Sequence, residues 1–290
     1  MPPRSRSSTT PKVAFVLGGG GVMGASEVGM LQALLERGIM PELVVGTSVG
    51  ALNGAAIAAA PGLQTVEVLR RIWLGIDEDR VFGGSIFAVG ANLVRTRTSL
   101  HSNRPLRELI TALLPAKTFE DLTVPFQCVA ASIERAAEHW FTTGPLAEAI
   151  LASAAVPGIL PPVEIDGEHF VDGGIVNSIP ISRAVELGAK EIYVLQVGRI
   201  ERPLEPPRTP LQVAMVAFEI ARRHRFARDL ASLPRGVTAH VLPTGESTSP
   251  RRKRIDLADY NYRNFRTVSQ RMNRARRASA AYLESAAAGA

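Results

Sequence analysis

The chain has 290 residues, 46% of them hydrophobic and 21% charged, a composition that excludes disorder and collagen-like sequence. A single cysteine excludes an intramolecular disulfide framework and a cysteine-rich zinc module. The formal charge of +6 invites a nucleic-acid or anionic-membrane reading, but 10 of the 33 Lys and Arg and 3 of the 27 Asp and Glu lie in residues 251–290, so that stretch is +7 and the rest −1.

Residues 1–11, rich in Pro, Ser, Thr and Arg, read as a disordered lead-in. Val13–Leu17 is a short continuous apolar run, the pattern of a strand buried on both faces in a parallel sheet. Four glycines follow, then apolar residues at helical spacing (Val28, Leu31, Leu34, Leu35) that stop at Gly38. A second run, Leu43-Val44-Val45, leads through Gly46-Thr47-Ser48-Val49-Gly50 into an Ala-rich helical stretch ending at Ala60. This βαβα opening predicts a parallel sheet covered by helices. Helices are expected over Gln64–Leu74, Arg107–Leu114, Leu146–Ala154, Ser182–Leu187 and Leu211–Leu233. Strands are expected within Val124–Ser132, Glu191–Val197 and Thr238–Leu242, with a hairpin over Val163–Val171 turning at Asp166-Gly167. Gly75–Arg104 has no firm assignment. The longest apolar runs fall far short of the ~20 residues of a membrane-crossing helix. No long apolar core follows the N-terminus, so a cytoplasmic protein without signal peptide is expected.

Gly46-Thr47-Ser48-Val49-Gly50 fits G-x-S-x-G at a strand-to-helix junction. A nucleophilic serine must project from a sharp turn, and glycines at either side let neighbouring backbone pass close by. A surface turn with a capping serine is the structural alternative. Gly18-Gly19-Gly20-Gly21-Val22-Met23-Gly24 leaves the first strand and opens a helix, where free backbone N–H groups favour an anion. That anion is either the phosphate of a dinucleotide, since Gly19–Gly24 fits G-x-G-x-x-G, or the oxyanion of an acyl-transfer intermediate. The dinucleotide reading wants an acidic residue ending the second strand; Glu42 has the right distance but precedes that strand, and no G-K-[ST] occurs. The oxyanion reading uses both glycine motifs and is preferred. None of His101, His139, His169, His224 and His240 sits in a Gly-rich or tightly turned context that would suit a catalytic base. Asp172, in Phe170-Val171-Asp172-Gly173-Gly174-Ile175, ends an apolar strand against two glycines, as a turn residue or as a carboxylate that approaches another loop. Cys128 is expected to pack in a buried strand.

Four blocks in order resemble the patatin-like phospholipases: Gly18–Gly24, Gly46–Gly50, Ser153-Ala154-Ala155-Val156-Pro157-Gly158 with Pro161-Pro162, and Val171-Asp172-Gly173-Gly174 with Asn177 and Pro180. The resemblance implies a three-layer α/β/α sandwich with a mainly parallel sheet. It also implies lipid-ester hydrolysis by a serine acyl hydrolase of phospholipase A or lysophospholipase type; no metal or cofactor is expected, since no H-E-x-x-H, cysteine cluster or EF-hand loop occurs. Ser48 would be the nucleophile, Asp172 its base, and the amides of Gly19, Gly20 and Gly21 the oxyanion hole, with Gly24, Gly46, Gly50, Gly173 and Gly174 supporting the turns. The family loop usually carries Arg or Lys where this chain has Met23, a loss of cationic contact that favours neutral esters over phosphate-bearing ones. The alternatives are a soluble carboxylesterase or acylglycerol lipase, and a catalytically idle dinucleotide- or partner-binding α/β module. The expected division is 1–11 lead-in, 12–245 catalytic domain and 246–290 basic, partly helical tail. The tail's Arg-rich residues 251–277 are the candidate contact with anionic membrane; nucleic acid is disfavoured, and the oligomeric state is open.

Overall fold

The first apolar run forms strand β1 (Val13–Leu17), whose Phe15 and Leu17 enter one hydrophobic cluster while Ala14 and Val16 enter another. A strand that buries both alternate sets must lie inside a sheet covered on two sides. The computed structural model describes residues 12–75, 101–197, 203–204, 206–246 and 267–288.

After β1 come α1 (Ala25–Leu35), β2 (Leu43–Thr47), α2 (Val49–Ala59) and α3 (Leu63–Gly75). Then follow α4 (Arg104–Leu113), β3 (Phe126–Ser132), β4 (Ala137–Phe141), α5 (Leu146–Ser153), β5 (Val163–Ile165) and β6 (Glu168–Asp172). The described chain closes with α6 (Gly174–Asn177), α7 (Ile181–Glu186), β7 (Glu191–Leu195), α8 (Pro210–Ala231), β8 (Thr238–Val241) and α9 (Val268–Ala288). The strands form one eight-stranded sheet in the order β5-β6-β3-β2-β1-β7-β8, with β4 alongside β3. The pairs β1–β2, β1–β7, β2–β3 and β7–β8 are parallel, and only β4, β5 and β6 bring antiparallel pairing. Helices α1, α2, α3 and α5 share a core with one face; Ile181 and Ala184 of α7 and Phe226 of α8 share a core with the other. The result is a three-layer α/β/α sandwich with a mainly parallel sheet.

Strand β3 positions the rest. It pairs with β2 through Val129 (opposite Thr47) and with β6 from Ala130 (opposite Asp172). Since β4 occupies the other edge of β3 over Cys128–Ser132, β2 and β6 share one edge and meet end to end on it. The hairpin turn falls where expected, with Asp166 at φ 53° and Gly167 at φ 79°, the left-handed pair of a tight two-residue connection.

Three elements go beyond the sequence reading. Strand β4 escaped it because only Phe141 of its five residues is buried, leaving no apolar alternation. Helix α6 is too short to show a period. Within the stretch expected as a basic tail, α9 is packed into the domain: its Val268, Met272, Ala275 and Leu283 join the core that holds α1. The unassigned stretch falls largely on residues 76–100, outside the described residues, as do Arg251–Arg254 and Arg263. No helix among the described residues is long and apolar enough to cross a membrane.

Candidate active site

Ser48 stands between β2 and α2 at φ 56° and ψ −123°, a conformation that costs a serine on the order of 1–3 kcal/mol and persists only where its surroundings impose it. The surroundings here are backbone. A Cβ on Gly50 would stand 2.4 Å from the Leu17 carbonyl oxygen, and one on Gly46 would stand 2.5 Å from the Gly50 carbonyl oxygen. Strand β1, strand β2 and the first turn of α2 therefore touch directly beneath the serine, and larger residues at 46 or 50 would force them apart.

Ser48 Oγ donates a hydrogen bond to Asp172 Oδ2 at 2.6 Å, and both residues are buried at 6% exposure. Asp172 Oδ1 accepts the Gly174 amide at 2.7 Å. The juxtaposition follows from β3: Thr47 and Asp172 lie opposite consecutive residues of that strand, so the residue after Thr47 reaches the carboxylate. Gly173 allows the turn to close, since a Cβ there would stand 2.2 Å from the Val129 carbonyl oxygen. Burial pushes the Asp172 carboxyl up to about 6 from its ordinary 3.8, while the Ser48 hydroxyl and the Gly174 amide pull it down. It is thus a stronger base than a free aspartate and still largely ionised at neutral pH.

The glycine loop lies against this pair. A Cβ on Gly19 would stand 3.3 Å from Ser48 Cβ. The amides of Gly18 and Gly19 are committed, donating to the carbonyls of Leu195 at 3.0 Å and Ser178 at 2.9 Å. Gly20 and Gly21, at the start of a 3₁₀ turn (Gly21–Gly24), donate to no acceptor among the described residues. Of the three amides expected as oxyanion donors, Gly20 and Gly21 are therefore open, and Gly19 is occupied because Ser178 holds the loop through it. Gly24 and Gly174 serve as close contacts, against Val49 and Asp172 respectively. Glu42 lies far from the loop along the strand direction: its Oε2 accepts the Lys12 amide at 2.9 Å, at the start of β1, so Glu42 does not stand where a ribose would need it.

Several residues of the site carried no clear sequence signal. Ser153 Oγ accepts the Ser48 amide at 2.9 Å and donates to the Val129 carbonyl at 2.6 Å. Thr47 Oγ1 donates to the Asn177 carbonyl at 2.8 Å. Below the glycine loop, Trp73 Nε1 donates to Asn53 Oδ1 at 3.1 Å, and Asn53 Nδ2 donates to Glu27 Oε2 at 2.8 Å and to the Gly24 carbonyl at 3.1 Å. Glu27 is fully buried, and burial raises its carboxyl well above the usual range against the pull of Asn53. The available signal was a polar residue inside an otherwise apolar helix, which the period of α1 and α2 does not explain.

Four of the five histidines have surroundings of their own, and the fifth, His101, is buried with its amide on the Ile159 carbonyl at 2.9 Å. His169 Nδ1 contacts Glu134 at 2.7 Å, His240 stacks on Tyr193, His139 packs on Phe141 and Phe170, and His224 lies on an exposed part of α8. Cys128 is fully buried, and burial drives its thiol upward, away from the reactive thiolate.

A family model described as patatin-like phospholipase matches residues 15–185. Patatin-like phospholipase domain-containing protein 7 of Rattus norvegicus is 32% identical over 196 residues, which cover 67% of this chain and 14% of that protein. An uncharacterized NTE family protein of Mycobacterium bovis is 33% identical over 188 residues, 62% of this chain and 47% of that protein. The chain thus spans well under two thirds of the length of these relatives. Among solved structures, VipD from Legionella pneumophila aligns with 96% of this chain and 67% of its own, at 14% identity and a TM-score of 0.45.

Proposed function

Because this chain belongs to the patatin-like phospholipase family, we propose that it is a serine hydrolase of lipid carboxylic esters working through Ser48 and Asp172. The observation that carries the reading is the 2.6 Å hydrogen bond between Ser48 Oγ and Asp172 Oδ2 in a strained turn that lies against the glycine loop at Gly19.

In the first half-reaction Ser48 Oγ attacks the acyl carbonyl carbon as Asp172 takes the hydroxyl proton. The carbonyl oxygen, now negative, is held by the Gly20 and Gly21 amides. Asp172 returns the proton to the departing alcohol, leaving an ester on Ser48. In the second half-reaction Asp172 takes a proton from water, which attacks the acyl-enzyme; as the intermediate collapses Asp172 passes that proton to Ser48 Oγ, the acid leaves, and both residues are restored. An aspartate is a modest base for a hydroxyl, so the preset amides carry much of the barrier; one such donor is worth ~10²–10³ in kcat.

Met23 beside the loop brings no cation to a phosphate, which favours neutral esters as the preferred substrates. Contact with anionic membrane through Arg251, Arg252, Lys253 and Arg254 belongs to the same proposal. Replacing these four with glutamine should weaken co-sedimentation with anionic vesicles and leave neutral vesicles unaffected; equal binding to both by the unmodified chain would overturn it.

The test of the dyad is hydrolysis of p-nitrophenyl acyl esters, a lysophospholipid and a diacyl phospholipid by the unmodified chain and by Ser48→Ala and Asp172→Asn. Both substitutions should lower kcat by on the order of 10³-fold or more, and a fluorophosphonate should label Ser48 alone. Folded variants with near-normal turnover would show that the reaction, if any, lies elsewhere.

A further inference from the structure

The block Ser153–Gly158 runs from the end of α5 toward the β5–β6 hairpin. Ser153 ends α5 and is fully buried. Its side chain and its main chain reach different parts of the active site. The hydroxyl accepts the Ser48 amide at 2.9 Å and donates to the Val129 carbonyl at 2.6 Å. The Ser153 carbonyl accepts the Gly173 amide at 3.1 Å, and two residues on the Ala155 carbonyl accepts the Asp172 amide at 2.9 Å. One short stretch at the end of α5 therefore grips the backbone of the nucleophile, the backbone of the base, and the strand that lies under both.

We propose that Ser153 is a positioning residue: its hydroxyl ties the backbone of Ser48 to the same short segment whose carbonyls hold the Asp172–Gly173 turn, and so keeps the two reacting side chains at bonding distance. The proposal rests on the serine hydrolase reading above. Three features of the geometry support it. A hydroxyl can accept and donate at once, which a site between an N–H and a carbonyl requires and no apolar side chain provides. Ser48 sits at φ 56°, a conformation that relaxes unless held, and its amide is the group whose direction changes when the turn relaxes. The tie also consumes the Ser48 amide, so that N–H does not compete with Gly20 and Gly21 for the oxyanion, and the donors stay on one side of the nucleophile.

The alternative is a serine that only satisfies a buried carbonyl at a helix end. The two roles differ in what they do to turnover. A lost tie lets Ser48 Oγ wander from Asp172 without altering the surfaces that bind substrate, so kcat falls and KM does not. A purely structural loss shows as a lower melting temperature with activity kept.

The experiment uses the full chain and a soluble p-nitrophenyl ester. Ser153→Ala, nearly isosteric, is expected to lower kcat by roughly 10-fold or more with KM within about twofold, and to slow fluorophosphonate labelling of Ser48 in step. Ser153→Thr, which restores the hydroxyl, is expected to recover most of the rate. It also stands as the test if the alanine variant does not fold: a folded threonine variant as slow as a dead enzyme overturns the proposal. A folded alanine variant with kcat within twofold of the parent overturns it as well, as does a loss confined to KM or to melting temperature. Ser48→Ala run alongside separates the two ideas. If it matches the parent, the hydrolase reading fails; if it is inactive while Ser153→Ala is unimpaired, only the positioning role fails.

Discussion

At neutral pH the carboxylate of Asp172 is charged in a place that water barely reaches, and this has two measurable consequences. Turnover that needs the ionised form should rise with pH through about 6 and level off above it. A profile of kcat/KM on a soluble ester between pH 4.5 and 8.5 checks this, and a limb near 4 would show that burial does not set the base. Stability runs the other way. Folding raises this carboxyl from 3.8 to about 6, so the folded state holds the proton more tightly. The stability gained is full below 3.8 and is lost as pH rises through 6, about 3 kcal/mol in all. Asp172→Asn keeps an oxygen for the Gly174 amide without the charge. It should therefore resist urea better than the parent at pH 8, with the difference fading toward pH 4, while being inactive at both. A less stable variant at pH 8 would mean that the lost Ser48 hydrogen bond outweighs desolvation.

Helix α1 shows how an element can be legible while its surroundings are not. Val28, Leu31, Leu34 and Leu35 mark the face turned to the core. The opposite side, with Ser26, Gly29, Met30 and Ala33, is also buried, because α9 lies along it. A helix buried all round needs a second cover, but the cover was hard to see. Its buried stripe, Val268, Met272, Ala275, Ser279 and Leu283, includes two small residues, Ala275 and Ser279, and runs among arginines. The contact is backbone-close at Gly29, where a Cβ would stand 2.0 Å from the Met272 carbonyl oxygen. In an open helix Gly→Ala gains up to ~1 kcal/mol. Here Gly29→Ala should instead destabilise by ~1–3 kcal/mol or more, because two backbones must part. A thermal melt that moved upward would place α9 elsewhere. The salt links Arg37–Glu284 and Arg276–Glu36 line the same seam and, being partly exposed, add little.

Across the whole molecule, Ser48 and Asp172 were readable in the chain as the proposed pair because glycines flank each, and the parallel sheet was readable from unbroken apolar runs. Their meeting was not readable. It depends on β6 and β2 each pairing with the same edge of β3, which brings together residues 124 apart in the chain and which no local pattern encodes. The tie through Ser153 hides for a similar reason, since a serine at a helix end looks the same whether or not a nucleophile is beside it. Size matters too. Removing residues 247–290 would expose the α1 face that Val268, Met272 and Leu283 cover, a loss of roughly 5–9 kcal/mol against a typical total of about 5–15. The shortened chain should lose its cooperative unfolding transition in circular dichroism, so the basic stretch must be probed by substitution rather than by truncation.

The end-to-end meeting of β2 and β6 on β3 makes the proposed hydrolysis a gauge of strand register. If β6 slipped by one residue along β3, Asp172 would turn to the opposite face of the sheet and Ser48 would face a valine or a glycine. Such a molecule would keep its helices and most of its core, and by spectroscopy it would pass for native. During refolding, turnover should therefore return later than secondary structure and tryptophan burial, at the moment the β5–β6 hairpin locks into place. A preparation can thus be well folded by every bulk measure and inert, and its specific activity counts the fraction of molecules in which that one strand has found its row.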